Sequence, residues 1–210
     1  MKIAKNIVNL GMVQGILLTD VAFPNEKTAT FNLKVKDSRK NPETNKEQLY
    51  IIKCTAFEEE MIEKLKSVAK GQLLFVRFHL THSKGVNKKT GEIFYYDNRV
   101  VDDVVVGELL DGKQQVLIPY VNNGVCQGEF QEIFVNKGDL SVAHVKVRVT
   151  HKGTDEKDYI SILDFTAYGP IIKHISSYYE TGDSIGVIYK IETTKKEGKI
   201  KVDYVIQTLF

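Results

Sequence analysis

Residues 50–80 read YIIKCTAFEEEMIEKLKSVAKGQLLFVRFHL, and their periodicity changes twice. Up to Phe57 the pattern alternates, with Ile52, Cys54 and Ala56 on one side and Lys53, Thr55 and Phe57 on the other, which is the signature of a half-buried strand. From Glu58 the apolar residues move to helical spacing, at Met61, Ile62, Leu65 and Val68. Glu58, Glu59 and Glu60 open this helix where its dipole is positive, and Gly71 is expected to close it in a left-handed conformation. Alternation then resumes over residues 73–80. A strand, a short helix and a second strand therefore follow one another with almost no loop.

The rest of the chain repeats this unit. Gly11 and Gly15 recur 113 residues later as Gly124 and Gly128. Residues 33–36 (LKVK) recur 112 later as 145–148 (VKVR), and Thr55-Ala56-Phe57 recurs 111 later as Thr166-Ala167-Tyr168. Gly71, Val76 and Phe78 match Gly182, Val187 and Tyr189 at the same offset. Any one pair of small residues is weak, but an ordered series with a slowly drifting offset is the mark of an internal duplication. Each copy predicts a strand interrupted by glycines (6–19, 121–135), where glycine tolerates a bulge or bend. An alternating strand (28–36, 141–149) and a polar loop (37–48, 150–158) follow. A third strand ends in Thr-Ala-aromatic, then comes a helix, and a hairpin closes the unit (73–82 with 93–101, 184–191 with 199–206). In the second copy the helix carries Pro170 early and an apolar stripe of Ile171, Ile172, Ile175 and Tyr178 before Gly182.

Three strands, a helix and two strands is the order of the OB fold. The expectation is thus an all-β chain with short helices: two tandem five-stranded OB barrels, each with a helix between its third and fourth strands. The domains fall at 1–110 and 111–210, joined near Gly107 to Gln115.

The 50–80 stretch resembles bacterial and phage single-stranded DNA-binding proteins. The resemblance lies in Phe57 closing a strand, the helix from Glu58, Lys70-Gly71, and the Val-rich strand after it. Asn9-Leu10-Gly11 with Gly15 is similar to that family's opening strand. The likeness covers most of residues 6–106, and the second half through its similarity to the first. It implies a protein that binds and protects single-stranded DNA during replication or recombination, with RNA-binding or a protein-interaction module as the alternatives. Two departures, no tryptophan and an ending of VIQTLF in place of an acidic tail, point to a phage or plasmid variant. By analogy with relatives that carry two OB folds per chain, a homodimer is expected.

A sequence-tolerant single-strand binder needs a cationic groove for phosphates and exposed aromatic faces for bases. Alternation places Phe31, Leu33 and Val35 inward and Lys34 and Lys36 outward, and likewise Val145 and Val147 inward and Lys146 and Arg148 outward. Phe57 falls on the polar face with Lys53. Tyr168 falls with Asp164 and Thr166. The hairpin tip 83–91 offers Lys84, Lys88 and Lys89 with no acid, and its counterpart 193–199 offers Lys195 and Lys196. Tyr95 is expected to point outward because it shares a face with Asp97 and Arg99, with Tyr96 opposite. Arg39, Lys40 and Lys46 extend the path. Asp164 in place of Lys53 would repel phosphate, so the first unit is expected to bind more strongly.

Composition agrees without deciding. The chain has 210 residues, 42% of them hydrophobic, with 29 basic and 27 acidic side chains. Residues 1–110 hold 17 basic and 14 acidic groups, and residues 111–210 hold 12 and 13. Cys54 and Cys126 form no cluster and are expected to be free, buried thiols in a reducing compartment. His79 and His82 point to opposite faces of a strand, and His144, His151 and His174 are scattered, so no metal or other cofactor is expected. Gly112-Lys113-Gln114 lacks the glycine and the Ser/Thr of a phosphate-binding loop. No nucleophile elbow occurs, so no enzyme is expected. With no signal peptide or membrane-length apolar run, the expected location is the cytoplasm, that of a bacterial host for a phage or plasmid protein.

Overall fold

Alternation in the sequence becomes alternation in burial: Phe31, Leu33 and Val35 are buried, as are Ile52, Cys54, Ala56, Val145, Val147, Leu163 and Phe165. The computed structural model describes residues 8–40, 45, 47–87, 90–109, 121–152, 157–196 and 199–210. Its elements run β1 (Asn9–Leu17), β2 (Ala22–Asn25), β3 (Thr28–Lys40), β4 (Glu47–Ala56), α1 (Glu59–Lys66), β5 (Gln72–Val86), β6 (Ile93–Leu109), β7 (Asn122–Asn136), β8 (Asp139–Lys152), β9 (Asp158–Tyr168), α2 (Pro170–Tyr178), β10 (Ser184–Lys196) and β11 (Lys199–Leu209).

Two five-stranded barrels result. In the first, β1 pairs with both β3 and β5, β5 with β6, and β3 with β4; a short parallel contact at Thr55 and Val100 closes the ring. In the second, β7 plays the part of β1, and Thr166 with Val205 makes the parallel closure. Each closure is a single residue pair, so the barrels are of the partly open kind usual for OB folds. The expected two tandem barrels, each with its helix between the third and fourth barrel strands, are present. The boundary expected at 110/111 lies outside the described residues.

The barrels are joined strand to strand. β1 and β7 run antiparallel with Gly11 opposite Gly124, so equivalent residues meet across an approximate twofold axis. A Cβ on Gly11 would lie 2.2 Å from the ring of Phe78, and one on Gly124 2.2 Å from that of Tyr189. These glycines make room for a core ring rather than for a bend. Asn9 and Asn122 repeat a second device. Each amide donates to a carbonyl of the neighbouring strand (Leu80 or Ile191, 2.7 Å) and accepts the same residue's N–H at 3.1 Å.

Several expectations need correction. Strand pairing makes Lys34 equivalent to Arg148, because they oppose Ile16 and Glu129, and Ile51 and Ile162, respectively. The offset there is 114, not 112: matching Lys-Val-Lys to Lys-Val-Arg by chemistry slips the strand by two residues, which preserves its faces and so hides the error. β2 was not foreseen; it is an exposed edge strand turned on Asn25, whose Oδ1 accepts the Lys27 N–H at 2.9 Å. The loops expected at 37–48 and 150–158 are partly strand, since β3 and β8 run on to Lys40 and Lys152. α1 and α2 stop at Lys66 and Tyr178. Gly71 and Gly182 come later, in the turns into β5 and β10, where φ is 92° and 100°. No helix among the described residues is long and apolar enough to cross a membrane.

Candidate nucleic-acid interface

Past the barrel rim, β5 and β6 continue as a two-stranded arm through the pairs His82–Asp97, Ser83–Tyr96, Lys84–Tyr95, Gly85–Phe94 and Val86–Ile93. Opposed residues share a face. One face carries Leu80 and Arg99 at its root, then His82, Asp97, Lys84 and Tyr95. This is the barrel-interior face prolonged past the rim, and Arg99 is buried. Sharing a face with Arg99 therefore does not send Tyr95 outward, as the sequence reading assumed; Tyr95 is 62% exposed because the arm has left the barrel. For the same reason Tyr96 is exposed too, at 42%.

Phe57 is 41% exposed and follows the end of β4. Its equivalent Tyr168 is 44% exposed, but its surroundings differ. Partial burial, Glu192 and Asp203 push the Tyr168 phenol above its ordinary pKa, with Lys201 opposing. In the first barrel the positions of Glu192 and Asp203 are held by Thr81 and Asn98, which oppose each other as those acids do. Phe57 thus lacks the two acids that flank Tyr168.

The cations divide in the same way. Lys146 bonds Glu132 (2.7 Å) and lies over the Phe134 ring, and Arg148 pairs with Glu129 at 3.6 Å. Lys36 pairs with Glu47 and is largely buried, so it is not the free outward cation expected of it. Lys34, Lys53 and Lys84 have no ion-pair partner among the described residues, and Lys53 and Lys84 are exposed. The side chains of Arg39, Lys195 and Lys196, and the whole of Lys88 and Lys89, lie outside the described residues.

Between the barrels lie groups that alternation could not reveal. Asp37, expected in a polar loop, is buried; it accepts from Tyr50 at 2.7 Å and pairs with Lys190 of the second barrel at 3.3 Å. Arg99 Nε donates to the Lys53 carbonyl (2.6 Å) and Arg99 Nη1 to the Tyr204 hydroxyl (2.7 Å). The Ile51 N–H donates to Thr193 Oγ1, and the His82 N–H to Ser161 Oγ. Cys54 and Cys126 are buried and free, and burial pushes both thiols up to about 12, so they are inert core residues. No group of three or more His, Cys, Asp or Glu among the described residues is placed to hold a metal.

No family model matches the chain, and no curated protein sequence does. Solved structures do. The wild-type single-stranded DNA-binding protein of Thermus aquaticus aligns with 97% of this chain and 92% of its own, at 16% identity and a TM-score of 0.66. A deletion variant of the same protein gives 97%, 94%, 15% and 0.67. At that identity the likeness concerns the backbone, and it spans both barrels together: the chain has the tandem OB fold of the Thermus aquaticus single-stranded DNA-binding protein.

Proposed function

We propose that this chain binds single-stranded DNA with little sequence specificity, serves replication or recombination by covering it, and catalyses no reaction of its own. The observation that carries this reading lies in the first barrel, where exposed Phe57 stands with Lys53 and no acid among the described residues takes up the charge of Lys34, Lys53 or, on the arm, Lys84. Phosphates would be held by the lysines and bases would stack on the rings, a pairing indifferent to sequence because every base has a π-face. The likeness in fold to the single-stranded DNA-binding protein of Thermus aquaticus supports the same ligand. The second barrel contributes less, because Lys146 and Arg148 are already paired and acids flank Tyr168.

The test is fluorescence anisotropy of labelled oligo-dT of about 30 nucleotides, since an OB fold covers roughly 4–16. Titration at low and high salt, beside a duplex and an RNA of equal sequence, should show tight binding to the single DNA strand. Log affinity should fall linearly with log salt, by roughly 0.7 per phosphate contact. Absence of binding at low salt would overturn the proposal.

A further inference from the structure

Where the two barrels meet, strand pairing makes Asp37 equivalent to His151, Tyr50 to Ser161 and Lys190 to His79. At the first end of this seam a cation is built in. Lys190 Nζ lies 3.3 Å from Asp37 and also pairs with Glu192, and the Tyr50 hydroxyl donates to Asp37 at 2.7 Å. At the other end the anion and the cation are both replaced by imidazoles, His151 of β8 and His79 of β5, with ring centroids 5.7 Å apart. Ser161 offers His151 no phenol; its Oγ accepts the His82 N–H at 3.0 Å. His151 Nδ1 is buried with no hydrogen-bond partner among the described residues.

Behind the other imidazole, Asp102 of β6 lies 2.6 Å from His79 Nδ1. A carboxylate only accepts hydrogen bonds, so Nδ1 carries the proton and, in the neutral ring, the lone pair is on Nε2. Metal-ligating histidines usually have this support, which fixes the tautomer and makes the second nitrogen more basic. The spacing agrees. With metal–nitrogen bonds of about 2.0–2.1 Å and each ring centroid about 1.2 Å behind its nitrogen, two imidazoles at a tetrahedral angle on one zinc ion have centroids about 5.3 Å apart. Among the described residues no other two histidines are in ring contact.

We propose that His79 Nε2 and His151 Nδ1 together bind one divalent first-row metal ion of zinc type across the seam, a class of ion that imidazole suits. Two protein ligands are fewer than a permanent structural zinc site uses, so water completes the shell and the ion exchanges. The side chains of His79 and Asp102 are 20% and 30% exposed, which gives the ion and its waters access without parting the barrels. The ion does at this end what the Lys190 ammonium does at the other: it sets positive charge between strands of different barrels and ties β5 to β8. Asp102 is a positioning residue that acts through His79.

The test uses the full chain freed of metal by a chelator, with ZnCl2 as the probe. Calorimetric titration should show one ion per chain. Zinc should also raise the urea midpoint, reversibly with EDTA, because an ion that binds the folded state stabilises it. His79→Ala and His151→Phe should each lose the binding and the shift, whereas His174→Ala, exposed on α2, should bind as the parent does. Asp102→Asn keeps both imidazoles and should weaken zinc by roughly 10–100-fold, the usual effect of removing a carboxylate behind a ligating histidine. Urea transitions without zinc show which variants fold, and Asp102→Asn carries the test if a histidine variant does not. No zinc binding by the parent overturns the proposal. So does unchanged binding in any folded one of these three seam variants, or an equal loss in His174→Ala.

Discussion

Arg99 and Tyr204 occupy the same position in the two barrels, and they hydrogen-bond to each other. Arg99 opposes Leu80 in the β5–β6 ladder and Tyr204 opposes Ile191 in β10–β11, the two residues gripped by Asn9 and Asn122. Duplicated positions that face each other across a twofold axis would clash or repel if both were Arg. Divergence to Arg and Tyr makes one donor and one acceptor, 2.7 Å apart and both buried. Burial pushes the Tyr204 phenol well above its ordinary pKa, with Arg99 opposing, so the phenol remains neutral.

Tyr204→Phe should therefore lower stability by about 1.5–3 kcal/mol, the usual range for hydrogen bonds to charged groups. Arg99→Met should also destabilise, and the double variant should lose less than the sum of the two, because both substitutions remove one bond. Urea unfolding of the four proteins measures the coupling. Strict additivity would show that the bond contributes nothing.

The seam between the barrels has two equivalent ends with different chemistry. At one, Asp37 of β3 pairs with Lys190 of β10. At the other, the same positions hold His151 of β8 and His79 of β5, with ring centroids 5.7 Å apart; Tyr159 of β9 packs beside His151, and Asp102 of β6 bonds His79 at 2.6 Å. Burial, then the nearby His79, lowers the His151 pKa below its ordinary 6.5, and its Nδ1 is buried without a hydrogen-bond partner among the described residues. Below about pH 6.5 the unfolded chain takes up a proton at this residue that the folded chain resists. The stability contributed by neutral His151 is thus complete above that pH and is lost as pH falls toward the folded-state pKa. Urea midpoints at pH 7.5 and pH 5.5 should separate more for the parent chain than for His151→Phe. Equal separation would show that His151 is not the acid-sensitive group.

Phe57→Ala should weaken oligonucleotide binding by roughly 1–3 kcal/mol, the value of one stacked base. Tyr168→Ala should cost much less, because Glu192 and Asp203 oppose a phosphate there. Both side chains are exposed, so neither substitution should alter the unfolding free energy by more than about 0.5 kcal/mol. Anisotropy on the two variants decides whether the barrels are unequal; comparable losses would show that they share the strand evenly.

Much of this fold is legible in the chain because its elements are short and cleanly patterned. Residues 50–80 switch period at Glu58 and again before Leu73, and burial follows that pattern except at Thr55, an outward position buried where β4 meets Val100 of β6. Alternation says which residues share a face, but not what covers the face. Tyr95, Asp97 and Arg99 were read together correctly, yet the same face is a solvent-exposed arm at Tyr95 and a buried interface at Arg99. Asp37, Lys190, Arg99 and His151 take their roles from the opposite barrel, in three contacts of which two span more than a hundred residues of sequence. Chemical similarity also set Lys34 against Lys146, although hydrogen-bonded pairing sets it against Arg148.

The glycines of β1 and β7 offer a sharp test of the duplication, because their role is steric. A methyl group on Gly11 would sit 2.2 Å from Cζ of Phe78, a fully buried ring held inside a closed barrel. The ring cannot swing away without opening the core, so Gly11→Ala should cost about 1–3 kcal/mol, as overpacking usually does. Shortening the offending side chain should relieve the clash. Phe78→Leu alone leaves a void and destabilises, but in the Gly11→Ala background the smaller residue makes room for the new methyl. The double variant should then be more stable than the two single costs predict. Gly124→Ala with Tyr189→Leu should behave likewise, since its Cβ would meet Tyr189 at the same 2.2 Å. Urea unfolding of both sets measures the coupling; if neither pair shows rescue, the glycines are kept for backbone conformation and not for the ring.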